Sequence, residues 1–321
     1  PDLTSLLTLF INNMKYLQKS GINKGSVMRL INLMNHNLKD NTKSQSLKNI
    51  HAHYDLGNDF YKLFLDNETM MYSSAIFKKS DEKLHEAQIN KLNALIFAGK
   101  ITQSDHILEI GTGWGGFAIY VAKIIGCKVT TITISNEQFA YTKQKILDEN
   151  VDHLVEVKLC DYRDISGSFD KIVSIEMLEA VGHKYYGTFF KKCSDLIKPN
   201  GKLILQVITI PDQRFRSYKT NPDFIQKHIF PGGILPSLYE LTKAIKNSSN
   251  LKVDKVENIG IHYAKTLQMW RSRFNENKKS VLDLGFDEIF IRKWNYYLSY
   301  CEAGFASEFI NDLHIVIKKP K

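Results

Sequence analysis

Residues 107–116, read as Ile-Leu-Glu-Ile-Gly-Thr-Gly-Trp-Gly-Gly, run an apolar strand into a glycine turn, and FAIYVAKII then follows as a helix. A strand that ends in glycines and turns straight into a helix is the opening βα unit of a nucleotide-binding sheet. The glycines let the backbone approach a ligand closely, and the helix start offers free N–H groups to an anionic group. The dinucleotide fingerprint GxGxxG is imperfectly met, so the turn alone does not choose a ligand.

The next hundred residues repeat the alternation. The pattern predicts strands over 106–110, 127–133, 154–158, 170–176 and 201–208, and helices over 115–125, 136–149 and 184–197. Alternation of this kind argues for a parallel, doubly wound α/β sheet with helices on both faces. Residues 211–250, with Pro211, the turn Pro231-Gly232-Gly233 and Pro236, break the pattern and read as an inserted cap; strands are expected near 252–260 and 313–319. Ahead of the sheet, 46–100 is helical and aromatic-rich. Residues 1–45 read as two amphipathic helices, one carrying Leu3, Leu6, Leu7, Phe10, Ile11, Met14 and Leu17, the other Val27, Leu30, Ile31, Leu33 and Met34. Their apolar faces suit packing on the core or a second subunit, or docking on a lipid surface.

A chain of 321 residues can hold one large domain or a core with a cap, and 43% hydrophobic and 24% charged residues are ordinary for a soluble globular protein. No apolar run approaches the roughly 18 residues of a membrane span, and no signal peptide is read. Pro1 in place of Met suggests a trimmed start. Cys127, Cys160, Cys193 and Cys301 are scattered without a CxxC pair, as expected of reduced thiols in the cytoplasm. The formal net charge of +9 attracts polyanions. With no zinc finger, RNP-like aromatic motif or arginine-rich tract, nucleic acid is set aside; an anionic membrane surface stays open.

A dinucleotide fold places an acidic residue about 20 positions after its glycines to hold the ribose. Here the second strand ends Thr131-Ile132-Thr133-Ile134-Ser135, with no carboxylate before Glu137. Asp161 and Tyr162, at the end of the third strand, are placed to hydrogen-bond and flank an adenine instead. That arrangement suits S-adenosylmethionine (SAM), which needs donors and acceptors but no pyrophosphate cradle.

Further segments carry a resemblance: HYDLGNDFYKLFLD (53–66), MMYSSAIF (70–77), LEIGTGWGG, TITISNEQ, CDYRD, EMLEAVGH (176–183), FPGGILPS (230–237) and IGIHYAKTLQMWR (259–271), in that order. Together they resemble the cyclopropane-fatty-acyl-phospholipid synthases, a family that includes the mycolic acid cyclopropane synthases, over about residues 46–321. The resemblance implies a Rossmann-like SAM-dependent methyltransferase sheet, with a helical N-terminal segment and an inserted cap. It implies transfer of a SAM-derived methyl group to the double bond of an unsaturated phospholipid acyl chain, closing a cyclopropane ring, by an enzyme peripheral to the inner membrane face. It would set SAM against Tyr54, Tyr72, Ser73, Gly111, Gly113, Thr133, Ile134, Gln138, Asp161 and Tyr162. A bicarbonate ion would serve as base, held by Glu179, Tyr263 and the backbone N–H of Ile208.

Two positions depart from that pattern. Ser74 stands where many members carry cysteine, and Gln206 where many carry histidine. Both side chains still donate hydrogen bonds to an anion, but glutamine does not titrate. The fate of the chain cation is thereby opened to a methylene- or methyl-branched product. Aromatic faces suited to a cation are offered by Tyr54, Tyr61, Tyr72, Trp114, Tyr263 and Trp270, each equally suited to core packing. His183 and His262 are candidate bases with structural alternatives. His51 and His53 lack the carboxylates that would complete a zinc site. A small-molecule N-methyltransferase of the coclaurine type, and a lipid-surface protein that binds SAM without turnover, are the competing readings. A homodimer is compatible with the N-terminal helices.

Overall fold

The computed structural model describes residues 2–14, 16, 41 and 56–321. Helices α1 (Leu3–Asn12), α2 (Asn58–Lys62) and α3 (Leu84–Gly99) precede the sheet. The alternation then unfolds as β1 (His106–Ile110), α4 (Gly116–Ile125), β2 (Lys128–Thr133), α5 (Asn136–Asp148), β3 (Val155–Leu159), β4 (Phe169–Ile175), α6 (Tyr186–Leu196) and β5 (Ile197–Thr209). Helices α7 (Asp212–Thr220), α8 (Phe224–His228) and α9 (Leu238–Ser248) occupy the segment read as a cap. The chain closes with β6 (Lys252–Asn258), α10 (Gly260–Glu276), α11 (Lys278–Asp283), α12 (Glu288–Ala306) and β7 (Asn311–Lys318).

The seven strands of the described residues lie in the order β3-β2-β1-β4-β5-β7-β6. The first five are parallel, as the alternation predicts. β7 departs from that expectation, running antiparallel between β5 and β6. The reason lies in α10–α12, over residues that the strand–helix alternation leaves unassigned. Helix α10 leaves the sheet where β6 ends, α12 packs back along it, and the chain re-enters at the same edge, where the Ile259 N–H donates to the Asp312 carbonyl. A chain returning to the edge it left can only run the opposite way.

Local chemistry fixes the helix starts. Ser135, Ser237 and Asp287 cap α5, α9 and α12 through side-chain oxygens that accept a backbone N–H three residues on. One face of the sheet is closed by α6, α9 and the cap, around Phe189, Phe190, Leu203 and Leu241. The other face is closed by α3 and α4, around Leu92, Leu95, Phe117 and Val121. A third core, about half of it aromatic, joins α2, α10 and α12 above the carboxyl edge of the sheet. Phe60 has no exposed surface and lies 4.9 Å from the Trp294 ring and 5.1 Å from Phe286. Tyr61 and Trp270, among the candidate cation stabilisers, are buried in this core. Helix α1 lies against α12, with Thr4 Oγ1 donating to Glu302 Oε2, while Leu6, Leu9 and Phe10 stay exposed. The second N-terminal helix read from 27–34 lies outside the described residues.

Candidate active site

A cavity of about 700 Å³ sits over the carboxyl ends of β1, β2, β4 and β5, where open α/β sheets bind ligands. Its walls join the glycine turn, a group of buried and half-buried acids and an apolar, aromatic sector from the cap and α12. Of the expected SAM contacts, Tyr72, Ser73, Gly111, Gly113, Thr133, Ile134, Gln138, Asp161 and Tyr162 all line it; Tyr54 lies outside the described residues.

At the glycine turn, Gly113 adopts φ +53°, and a Cβ built there would meet nothing within 4 Å, so the backbone itself forms an open cradle. Gly116 allows the opposite, a close approach: a Cβ there would stand 2.3 Å from the Thr69 carbonyl oxygen. Thr133 Oγ1 donates to Gln138 Oε1 at 2.8 Å, fixing the amide at the end of β2. Asp161 is held by Arg163, whose Nε and Nη2 reach its two oxygens at 2.7 and 2.6 Å. The Tyr162 hydroxyl is buried without a partner among the described residues. An open cradle, an orphaned hydroxyl and strand-end acceptors fit the adenosine and amino-acid ends of SAM.

Glu109, Glu176 and Glu179 form the second wall, and Asp312 stands off it beside Gln206. Glu176 follows β4 directly, Glu179 lies in the turn Leu178–Ala180, Asp312 on β7 and Glu109 on β1. Glu176 Oε1 accepts the Ser74 backbone N–H at 2.9 Å and Gln206 Nε2 at 2.8 Å, and its Oε2 accepts the Tyr263 hydroxyl at 2.6 Å. Gln206 Nε2 also donates to Asp312 Oδ2 at 2.9 Å. Because both amide protons go to carboxylates, Gln206 Oε1 must accept, so His314 Nε2 at 3.2 Å carries a proton. Burial pushes the His314 imidazole down to about 4, so it is neutral at pH 7.

Burial also raises Glu176, but its three donors favour the carboxylate. Asp312 is raised further, by burial and then by Glu176, and its Oδ1 lacks a donor among the described residues. Asp312 therefore holds the proton of the pair and Glu176 the charge. Glu179 is pushed up to about 8 by burial and by Glu176; its Oε1 accepts the Ile208 N–H at 2.5 Å and its Oε2 has no partner among the described residues. Glu109, taking Thr131 Oγ1 at 2.5 Å, is likewise raised to about 8 by burial. Fully buried Lys91 is lowered to about 8 by the same desolvation and donates to Ser73 Oγ at 2.7 Å.

This arrangement corrects part of the sequence reading. Ser74 and Gln206 are not on the cavity wall; they stand behind Glu176 and hold it, Ser74 through its backbone while its hydroxyl bonds the Ala75 carbonyl. The donors expected to hold bicarbonate are already taken, three by Glu176 and the fourth, Ile208 N–H, by Glu179. The residues as arranged do not fit bicarbonate. His183 bonds Glu240 and Lys219, and His262 Nδ1 accepts the Phe77 N–H; neither lines the cavity. His51 and His53 lie outside the described residues. The sequence reading passed over Glu176, Asp312, Lys91 and His314 as site residues. Two signals were available: a second acid three residues before Glu179, and polar Asp312 and His314 alternating with Leu313 and Ile315 on one strand.

Residues 41–315 match the family model described as mycolic acid cyclopropane synthetase. The chain belongs to this family. It is 39% identical over 279 residues to the tuberculostearic acid methyltransferase UfaA1 of Mycobacterium tuberculosis, covering 85% of this chain and 65% of that protein. It is 35% identical over 268 residues to the cyclopropane-fatty-acyl-phospholipid synthase of Escherichia coli K12, covering 83% of this chain and 66% of that one. The chain thus spans about two-thirds of the length of these relatives. Among solved structures, the mycolic acid cyclopropane synthase CmaA1 in complex with SAH and CTAB superposes with a TM-score of 0.79 at 29% identity, covering 85% of this chain and 98% of that one. The fold is that of the SAM-dependent methyltransferases in this family.

Proposed function

We propose that this protein transfers the methyl group of SAM to the double bond of an unsaturated acyl chain of a membrane phospholipid, with proton loss completing the product as a cyclopropane ring. The observation that carries this reading is continuity: one cavity runs from the glycine cradle past the buried acids to the apolar sector of Phe230, Tyr297, Phe305, Phe309 and Ile310. The glycine turn, Thr133, Gln138, Asp161 and Tyr162 would hold the cofactor. When bound there, SAM supplies a methyl group on a positively charged sulfur that leaves as a neutral thioether.

The chain's own residues meet the remaining demands. A carbocation must be kept from water, and the apolar sector does this. Tyr72, Trp114 and Tyr263 bring aromatic faces to the cavity wall, where positive charge is attracted to ring faces. The Glu176 carboxylate gives the site a negative field beside the reacting carbons. Residues 46–321 form the catalytic unit in this reading, with 211–250 as the cap over the acyl sector.

A methylene- or methyl-branched chain is the second reading. It is favoured by the non-titrating Gln206 and by the higher identity to a relative named as a methyltransferase than to one named as a cyclopropane synthase. Gas chromatography–mass spectrometry of acyl chains from monounsaturated phospholipid vesicles incubated with protein and SAM decides. A gain of one CH2 coeluting with a cyclopropane standard supports ring closure, the same gain at another retention time supports branching, and no gain rejects both. Attachment to anionic membrane is part of the proposal, supported by exposed Leu6, Leu9 and Phe10 on α1, whose Ile11 lines the cavity. Vesicle cosedimentation that ignores salt and anionic lipid would remove that part.

A further inference from the structure

We propose that the Glu176 carboxylate is the general base of the reaction, built into the chain at the place where a bicarbonate ion was expected, so that turnover needs no bicarbonate. The inference rests on the acyl-methylation reading above. Three donors converge on one side chain: the Ser74 N–H, Gln206 Nε2 and the Tyr263 hydroxyl all end on Glu176. Ser74, Gln206 and Tyr263 are three of the positions that the sequence assigned to the anion site. Glu176 nevertheless lines the cavity, while Ser74 and Gln206 do not. The carboxylate therefore stands between its donors and the space where the substrate would lie.

The backbone supports the same conclusion. Glu176 has φ +48°, a left-handed conformation that favours glycine and costs a glutamate strain. Its own N–H donates to the Gln206 carbonyl at 2.8 Å, so β4–β5 pairing pins the strained residue in place. Such strain persists where the surroundings over-determine it and is commonest at working sites.

Gln206 also becomes intelligible. A carboxylate at 176 and a carboxyl at 312 need a neighbour with two donors, and an amide NH2 supplies both at 2.8 and 2.9 Å while its oxygen takes His314. Gln206, Ser74 and Asp312 are positioning residues, acting through Glu176.

Methyl transfer to one olefinic carbon leaves the adjacent carbon cationic. Glu176 removes a proton from the new methyl group, and the C–H electron pair closes onto the cationic carbon as the third ring bond. If hydride first shifts from the methylated carbon to its cationic neighbour, the same proton removal instead forms a C=CH2 branch on the open chain. In both cases the proton rests on Glu176 as a carboxylic acid and is then lost to water.

The test uses the full chain as wild type, Glu176→Gln and Glu176→Gly, each in buffer stripped of carbon dioxide and then with 13C-bicarbonate added. Bicarbonate binding is read by 13C NMR, cofactor binding by calorimetry with SAM, and product by mass spectrometry on monounsaturated phospholipid vesicles. Wild type is expected to bind no bicarbonate and to turn over equally with and without it. Glu176→Gln should lose roughly 10²- to 10⁴-fold in product formation while keeping SAM affinity. Glu176→Gly, which relieves the left-handed strain and keeps its SAM affinity as the check on folding, should bind bicarbonate and recover product at least about tenfold when it is added. Specific bicarbonate binding by wild type, a wild-type rate that collapses on stripping, or full activity in Glu176→Gln would each overturn the proposal. Bicarbonate binding confined to Glu176→Gly, with no methylated lipid from any form, would support the built-in anion while rejecting the lipid substrate.

Discussion

Tyr263→Phe isolates one hydrogen bond. The hydroxyl donates to Glu176 Oε2 at 2.6 Å, while the ring stacks on Phe305 at 4.4 Å and meets Trp270 edge-on at 6.0 Å, so phenylalanine keeps the packing. A hydrogen bond to a charged group is worth about 1.5–3 kcal/mol, so its loss disfavours the Glu176 carboxylate by roughly 10- to 100-fold. The sign follows directly: removing a donor from the ionised form raises the acid, less base is present at a given pH, and the deficit shrinks as pH rises. Glu179, Asp312 and Lys91 also act on this acid, with Glu109 acting in turn on Lys91, and they shape the profile in both proteins. Burial holds Tyr263 itself far above its ordinary value, so its own titration does not intrude. The assay is S-adenosylhomocysteine release on monounsaturated vesicles between about pH 6 and about pH 9, with SAM affinity by calorimetry as control. A rate about 10- to 100-fold lower at neutral pH, an acid limb moved to higher pH and a SAM affinity within about threefold are expected. A loss equal at every pH would refute the reasoning, because Tyr263 would then act by shape rather than through Glu176.

Glu179→Gln tests the neutral form of that acid. Its folded value near 8 lies above the ordinary carboxyl value of 4.5, so the native state binds more protons between those limits and loses stability as pH rises. Removing the titration should raise the thermal midpoint at pH 7 and give no gain below about pH 4, and a gain independent of pH would contradict it. Gly113→Val places a branched side chain at φ +53° in the cofactor cradle; SAM affinity should fall at least about tenfold by calorimetry, and an unchanged affinity would remove the turn from the cofactor site. Phe60→Ala empties the centre of the aromatic core and should cost about 3–5 kcal/mol in chemical denaturation; a cost under about 1 kcal/mol would mean that the rings close over the gap.

The parallel half of the fold was legible because its signals are local. Apolar strand runs, glycine turns and capped helices over 106–208 predicted β1–β5 to within a few residues at most of their ends. The antiparallel β7 was not, since its direction depends on where the α10–α12 excursion returns, a property of packing between distant segments. The same division runs through the site. Gly113, Thr133 and Asp161 sit at the strand ends that the alternation itself locates. The acid cluster is assembled from β4, β5, β7, α10 and the segment before α3, and no local pattern states that Ser74, Gln206 and Tyr263 converge on one carboxylate. Ser74 and Gln206 stood out as departures from a family pattern. Their meaning depended on Glu176, which sits in a quoted motif and drew no notice beside Glu179.

The acid cluster is costly in the resting protein, and the manner in which it is tolerated bears on function. Four carboxyls, the buried Glu109 and Asp312 and the half-buried Glu176 and Glu179, crowd together at one end of the cavity, with Lys91 the buried lysine among the described residues. Desolvation pushes Glu109 to hold a proton, and desolvation with repulsion from Glu176 does the same for Glu179 and Asp312, leaving Glu176 as the carboxylate with three donors. A neutral olefin gains little from that charge. A cation generated about 4 Å away gains on the order of 4 kcal/mol at an effective dielectric of 20, and more where water is excluded. The site is thus complementary to the charged state along the reaction rather than to the substrate, which is what acceleration requires. A mobile anion would have to be captured and held before each turnover. A tethered one pays its ordering entropy at folding, and the left-handed strain at Glu176 is where that cost is visible.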